Sequence, residues 1–194
     1  MSLPLTHAMV PLAAAIAFAR RPFNNRLLAA SVVAAIAPDL DSLVRPLFNV
    51  GLTSAYSHRG AFHSLFFALL AGIVAAALHR RLKAPPLTAG VAVTTAMMSH
   101  GLLDMLTASG KGVMFLWPLS SMRIYADWRP LPGSVASTGS RLAAVLDRLA
   151  PELYQVIAPM LITAIAIRLA SRLGTREHDP GNAAPSTDRV AIND

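Results

Sequence analysis

Five apolar runs divide the chain, with short polar segments between them. They cover 5–19 (LTHAMVPLAAAIAFA), 27–37 (LLAASVVAAIA), 61–78 (AFHSLFFALLAGIVAAAL), 86–106 (PLTAGVAVTTAMMSHGLLDML) and 152–170 (ELYQVIAPMLITAIAIRLA). None alternates apolar and polar residues with the two-residue period of a half-buried strand, and alanine and leucine dominate, so the pattern predicts helices. The third, fourth and fifth runs approach or reach the ~20 residues that cross a bilayer, whereas the first two suit buried helices or a shallow hairpin equally well. The expected fold class is all-α: a polytopic helical membrane protein with about four to five apolar helices. Residues 1–173 form the membrane-embedded domain in this reading. The tail 174–194 (GTREHDPGNAAPSTDRVAIND) is polar and rich in helix breakers, and disorder is expected there. The segment SRLAAVLDRLAPEL (140–153) has amphipathic spacing suited to a membrane surface.

Composition strengthens the membrane reading. Of 194 residues, 54% are hydrophobic and 14% charged, and the mean hydropathy is +0.50; a soluble domain carries about 25% charged residues. The net charge of +7 falls in short clusters between the apolar runs: Arg20, Arg21 and Arg26; Arg80, Arg81 and Lys83; Arg168, Arg172 and Arg176. Nucleic-acid binding needs a continuous basic face, so no nucleic-acid partner is expected. Basic residues in short loops favour the cytoplasmic side. A path that runs inward along the first helix and alternates thereafter puts all three clusters inside. The amino terminus then lies outside, and the positive charge follows the first run rather than preceding it as in a signal peptide.

That path sends the unusual polar residues to one face. His7 opens the first run, PDLD (38–41) with Asp39 and Asp41 closes the second, SHRGAFHS (57–64) with His58 and His63 opens the third, and His100 and Asp104 close the fourth. Positions i and i+4 share a helix face, so His100 and Asp104 can grip one ion. Gly60 permits a tight bend between the two histidines. Neutral imidazole and ionised carboxylate suit divalent ions, and seven such residues suffice for two. An aspartate deep in a membrane segment costs about 2.5–3.5 kcal/mol on insertion scales, which a metal or close partner offsets. The chain has no cysteine, which excludes thiolate sites and leaves zinc first, with manganese or iron as alternatives.

Other motifs are absent or bland. SGKG (109–112) lacks the frame of a phosphate-binding loop, and there is no GxSxG elbow. Arg59 can bind an anionic group or lie on the surface as an ordinary arginine. Trp117, Trp128 and Tyr125 read as an interfacial aromatic belt, and His79 as an interfacial residue on the basic side.

THAMVPLAAA, PDLD, HRGAFHSL, SHGLLDMLT and the following pair Trp117 and Pro118 together resemble the LexA-regulated (LexA-binding) inner-membrane-associated family of metal-dependent hydrolases, over about residues 5–120. The resemblance implies a multi-pass protein of the inner (cytoplasmic) membrane that needs a metal. It places the functional residues on His7, Asp39, Asp41, His58, His63, His100 and Asp104. A fainter similarity to zinc-dependent phospholipase C rests on the early histidine, the aspartates and the HxxxD pair. The later histidines and glutamate of its three-zinc site have no evident match, so one or two ions are expected.

The function expected is hydrolysis of a phosphoester, with lipid as one substrate class, at the outer membrane face. Asp39 or Asp41 would hold or deprotonate the water, and Arg59 would steady an anionic oxygen. Two other classes share the same residues: a transporter or channel using the cluster as an ion or proton pathway, and a regulatory membrane protein with a structural metal.

Overall fold

The computed structural model describes residues 4–18, 23–42, 51, 54–108, 110, 112–131 and 141–176. These form helices α1 (Pro4–Ala17), α2 (Asn25–Ile36), α3 (Leu65–Ala77), the short α4 (His79–Leu82), α5 (Pro86–Met105), α6 (Arg141–Glu152) and α7 (Ala158–Arg176). Two 3-10 turns, Ala37–Leu40 and Ala61–His63, and a π turn, Leu153–Ile157, complete the regular structure. Among the described residues no β-strand forms; two isolated bridges, Thr107 to Leu131 and Val113 to Ile124, are the only extended pairings. The all-helical reading holds.

The spanning lengths are less generous than the apolar runs suggested. Among the described residues one helix is long and apolar enough to cross a membrane, Leu149–Leu173, while Pro4–Ala17 and Leu65–Ala77 are shorter apolar helices. The third run loses its first turn because Ser64 caps α3 with its side chain, accepting from the amide of Phe67. The amphipathic segment 140–153 is helical over Arg141–Glu152 and runs through the π turn into α7. Pro151 lies at that junction; it offers no N–H, which favours a local change of helical pitch. The helix of α7 reaches Arg176, and the remainder of the expected disordered tail lies outside the described residues.

Small residues let the helices approach closely. A methyl group on Gly72 of α3 would lie 1.9 Å from the Thr94 hydroxyl and 2.8 Å from the Gly90 carbonyl of α5, so these backbones touch as small-residue helix contacts in membranes do. Leu27, Ala68, Ala89 and Val93 fill the buried centre of α2, α3 and α5. A second cluster, Ala13, Ala17 and Ala164, joins α1 to α7. Large apolar side chains such as Leu69, Ile73, Val91, Ile162 and Leu169 stay exposed on the outside, as lipid-facing residues do.

The two basic segments meet at one end. Asn24 caps α2 by accepting from the amides of Arg26 and Leu27, and its amide nitrogen donates to the carbonyls of Leu82 and Lys83 at 2.9 Å each. Arg26 donates to the Arg81 carbonyl at 3.1 Å. His79, on α4, belongs to this end. Residues 112–131 cover the opposite end, where Leu65 donates to the Phe115 carbonyl, Met114 to that of Arg59 and Ala126 to that of Met105.

Candidate metal centre

The end opposite these two basic segments gathers all the candidate residues from four chain segments. His7 comes from the first turn of α1, Asp39 from the 3-10 turn after α2 and Asp41 from the cap that ends it, His58 and His63 from the turn before α3, and His100 and Asp104 from the last turns of α5. His7, Asp41, His63, His100 and Asp104 are buried; His58 and Asp39 are partly exposed. The turn that carries His58 and Arg59 depends on close backbone approach, since a methyl group on Gly60 would fall 2.0 Å from the Ala55 carbonyl oxygen. Arg59 sits in the left-handed region with φ 63°. At the other wall, a methyl group on Gly101 would meet the His63 carbonyl oxygen at 2.6 Å, so α5 needs glycine there to bring His100 under His63.

One potential donor atom from each of Asp39, His63, His100 and Asp104 lies within 4.8 Å of all the others. His100 Nε2 is 3.1 Å from His63 Nε2, 3.4 Å from Asp39 Oδ1 and 3.8 Å from Asp104 Oδ2. His63 Nε2 is 3.5 Å from Asp104 Oδ2 and 4.0 Å from Asp39 Oδ1. Four ligands at ~2.1 Å from a shared ion are about 3.4 Å apart in a tetrahedron, so the spacing is that of a coordination shell before any movement. His7 flanks this group: its ring stacks on His100 at 3.7 Å between centroids, and its Nε2 stands 4.0 Å from Asp104 Oδ1.

The orientation of the rings is as telling as their spacing. His100 Nδ1 is 2.7 Å from the Ala35 carbonyl oxygen, which only accepts, so Nδ1 carries the proton and neutral His100 presents a bare Nε2. His63 Nδ1 is 3.3 Å from Asp41 Oδ2, close enough to favour its proton there although the angle falls short of a regular hydrogen bond. Two imidazole lone pairs therefore face each other at 3.1 Å. They repel unless a cation or a proton stands between them. Asp104 Oδ2 beside them is buried and accepts no hydrogen bond among the described residues. An orphaned carboxylate oxygen and two facing lone pairs fit a divalent ion.

Asp41 belongs to the supporting layer. Its Oδ1 lies 2.7 Å from His58 Nδ1, and its Oδ2 accepts from the Arg59 amide at 3.3 Å while facing His63. Burial opposes its ionisation, yet the bonds to His58 and His63 hold its carboxyl below the ordinary range. For Asp39, too, burial works against the charge, but the surrounding imidazoles, led by His100, bring it down to about 2. Burial pushes His63 below the usual imidazole value, against the pull of Asp41. Ionised carboxylates and neutral imidazole are the ligand forms a metal takes. A second donor group, Asp41, His58 and His63, shares His63 with the first.

Arg59 is not an ordinary surface arginine: it is 4% exposed, and its Nη2 donates to Asp104 Oδ1 at 3.1 Å. Its guanidinium also lies against Gly110, where a methyl group would come within 2.2 Å of Nη1. Arg123 ties the turn down from above, donating to the carbonyls of His58, Arg59 and Gly112 at 3.3 Å each and to the Ser57 hydroxyl at 2.8 Å. Glu152 was not foreseen. It is buried at the end of α6 and accepts a hydrogen bond from Thr6, the neighbour of His7. Of the aromatic residues, Trp117 stacks on Phe67 at 5.7 Å, while Tyr125 and Trp128 are exposed and Arg129 lies over the Tyr125 ring.

Inner membrane protein YbcI of Escherichia coli (strain K12) is 36% identical over 126 residues, covering 64% of this chain and 72% of that protein. No solved structure matches the chain. The family model described as YdjM inner membrane protein matches residues 1–176, and the chain belongs to this inner-membrane family.

Proposed function

We propose that the protein is a multi-pass, metal-dependent hydrolase that cleaves a phosphoester at the extracytoplasmic face of the inner membrane. The observation that carries this reading is the pair of Nε2 atoms on His63 and His100, 3.1 Å apart with both Nδ1 atoms directed elsewhere. Asp39, His63, His100 and Asp104 would hold one ion, zinc before manganese or iron, with His7 beside it. Such an ion lowers the pKa of a water toward ~7 and offsets negative charge on a phosphoryl oxygen.

The chain's own residues then have separable tasks. Asp41 holds the Nδ1 of His58, leaving Nε2 as the acceptor, and that nitrogen has no hydrogen-bond partner among the described residues. The His58 ring is 5.5 Å from that of His63, so it borders the cluster from its partly exposed side. His58 takes a proton as water oxygen bonds to phosphorus and the ester P–O bond breaks. It then returns the proton to the leaving alkoxide. Asp41 thus acts through His58, not directly on water. Arg59 fixes Asp104 with one oxygen bound and the other turned to the cluster.

A transport pathway would place ionisable groups at several depths. Along α5 none occurs between Pro86 and Ser99, which supports a fixed site at one end. Elemental analysis of the detergent-purified chain tests the proposal. One divalent ion per chain, lost in His100→Ala and in Asp104→Ala, is the expected result. Metal-free wild type after gentle purification and reconstitution, with folded variants, would overturn it.

A further inference from the structure

An apolar groove of about 410 Å³ lies between α1, α2 and α5 and ends about one helical turn short of the cluster. Three residues mark its near end, each about one helical turn from the site: Val10 from His7, Ser31 from Ala35, whose carbonyl holds His100, and Ala96 from His100 itself. Its far end is formed by Phe18, Phe23 and Leu87. From Leu87 to Ala96 the groove follows α5 for about 14 Å at ~1.5 Å per residue. The slot is long and apolar, a shape that suits one hydrocarbon chain.

Two further features point the same way. Phe18, Leu87 and Val91 are exposed along the groove, so its side opens to the surrounding lipid. Ser31 is 1% exposed, and its hydroxyl has no hydrogen-bond partner among the described residues. A buried hydroxyl without a partner is costly in an apolar wall, and this one lies at the end nearest the cluster.

We propose that the groove binds the hydrocarbon chain of a lipid whose phosphoester head stands at the His/Asp cluster, with the Ser31 hydroxyl donating to an oxygen at the base of the head. The chain site stands on the groove alone. The role of the head rests on the hydrolase reading above. The substrate class is then a membrane lipid phosphoester, held with its scissile bond at the polar end and its tail in the slot.

The test uses dodecyl phosphate carrying a photoreactive diazirine at its tail end, added to the full chain in detergent. Cross-linked residues are identified by mass spectrometry, and metal content is measured on the same preparations. The expected result is cross-links concentrated on Phe18, Phe23, Leu87 and Thr88, competed by unlabelled dodecyl phosphate and cut at least tenfold in Ala92→Phe, which fills the slot. Should that variant misfold, Val91→Trp at an exposed rim position replaces it. Cross-links spread evenly over the outer faces of α3 and α7, or unchanged in folded filled-groove variants, would overturn the proposal. So would a filled-groove variant that altered only the oligomeric state. Groove labelling with no metal in the wild type would retain the chain site and remove the hydrolase. Metal with phosphoester cleavage and no groove labelling would do the reverse.

Discussion

His100 gives its Nδ1 proton to the carbonyl oxygen of Ala35 at 2.7 Å, and this bond decides which nitrogen faces the cluster. A residue with no functional side chain thereby sets the ligand chemistry of a histidine on another helix. Metal-binding histidines commonly have such a partner on the far side of the ring, which fixes tautomer and angle together. The carbonyl is available because α2 ends at Ile36 and changes pitch into the turn at Ala37, which leaves its last carbonyls without the usual helical partners.

Asp41 offers a cleaner test of that supporting layer than any direct ligand. Asp41→Asn keeps the size of the side chain but removes the charge that faces His58 and His63. Metal affinity should fall about 10–100-fold, the usual effect of losing an outer partner. Competitive chelator titration reads this directly. Unchanged affinity would take Asp41 out of the supporting role.

His58 should separate from the ligands kinetically. With a phosphoester that the wild type cleaves, His58→Ala is expected to lower kcat about 10²–10⁴-fold with little change in KM, as for loss of a general base. Metal content should stay at the wild-type level. Loss of metal together with activity would instead place His58 in the coordination shell with Asp41.

Arg59 and Asp104 form a buried ion pair, with side chains 5% and 3% exposed. Removing Arg59 alone strands a buried charge, for which the cost is about 3–5 kcal/mol. Arg59→Met should therefore lower the thermal midpoint of the metal-stripped protein sharply, and added metal should restore part of it. The double variant with Asp104→Leu should be more stable than Arg59→Met alone. Simple additivity of the two single effects would show that the pair is not coupled.

Two glycines on facing helices discriminate packing from site geometry. Gly101→Ala pushes directly against the His63 backbone, whereas Gly72→Ala crowds Thr94 and Gly90, away from the cluster. Both should destabilise by about 1–3 kcal/mol, as overpacking does. Only Gly101→Ala should also weaken metal binding. Equal effects on binding would mean that the cluster senses helix spacing throughout the bundle.

The helices were legible because alanine- and leucine-rich runs without alternation leave few alternatives, and the HxxxD pair was legible because a helix turns once in four residues. The joint assembly of four segments was expected from membrane sidedness, and Asn24 and Arg26 meet residues 81–83 at the other end of the helices. What escaped were partnerships across long stretches of chain. Arg59 reads locally as an anion-binding residue or a surface arginine, and its buried pairing with Asp104, 45 residues away, follows from neither reading. Glu152 reads as the polar end of an amphipathic helix, and its partner Thr6 lies 146 residues away. No periodicity encodes such contacts. A glutamate beside a proline at the head of a long apolar run was the one available hint.

The convergence of segments from His7 to Asp104 also governs when the site can exist during synthesis. As the chain emerges, the early helices offer His7, Asp39 and Asp41, then the turn with His58 and His63. His100 and Asp104 arrive only with the end of α5. Until then, three of the five groups at the centre of the cluster, His7, Asp39 and His63, lack their counterparts. On the proposed metal reading, a half-inserted chain would be a poor scavenger of metal, and loading would mark completed insertion.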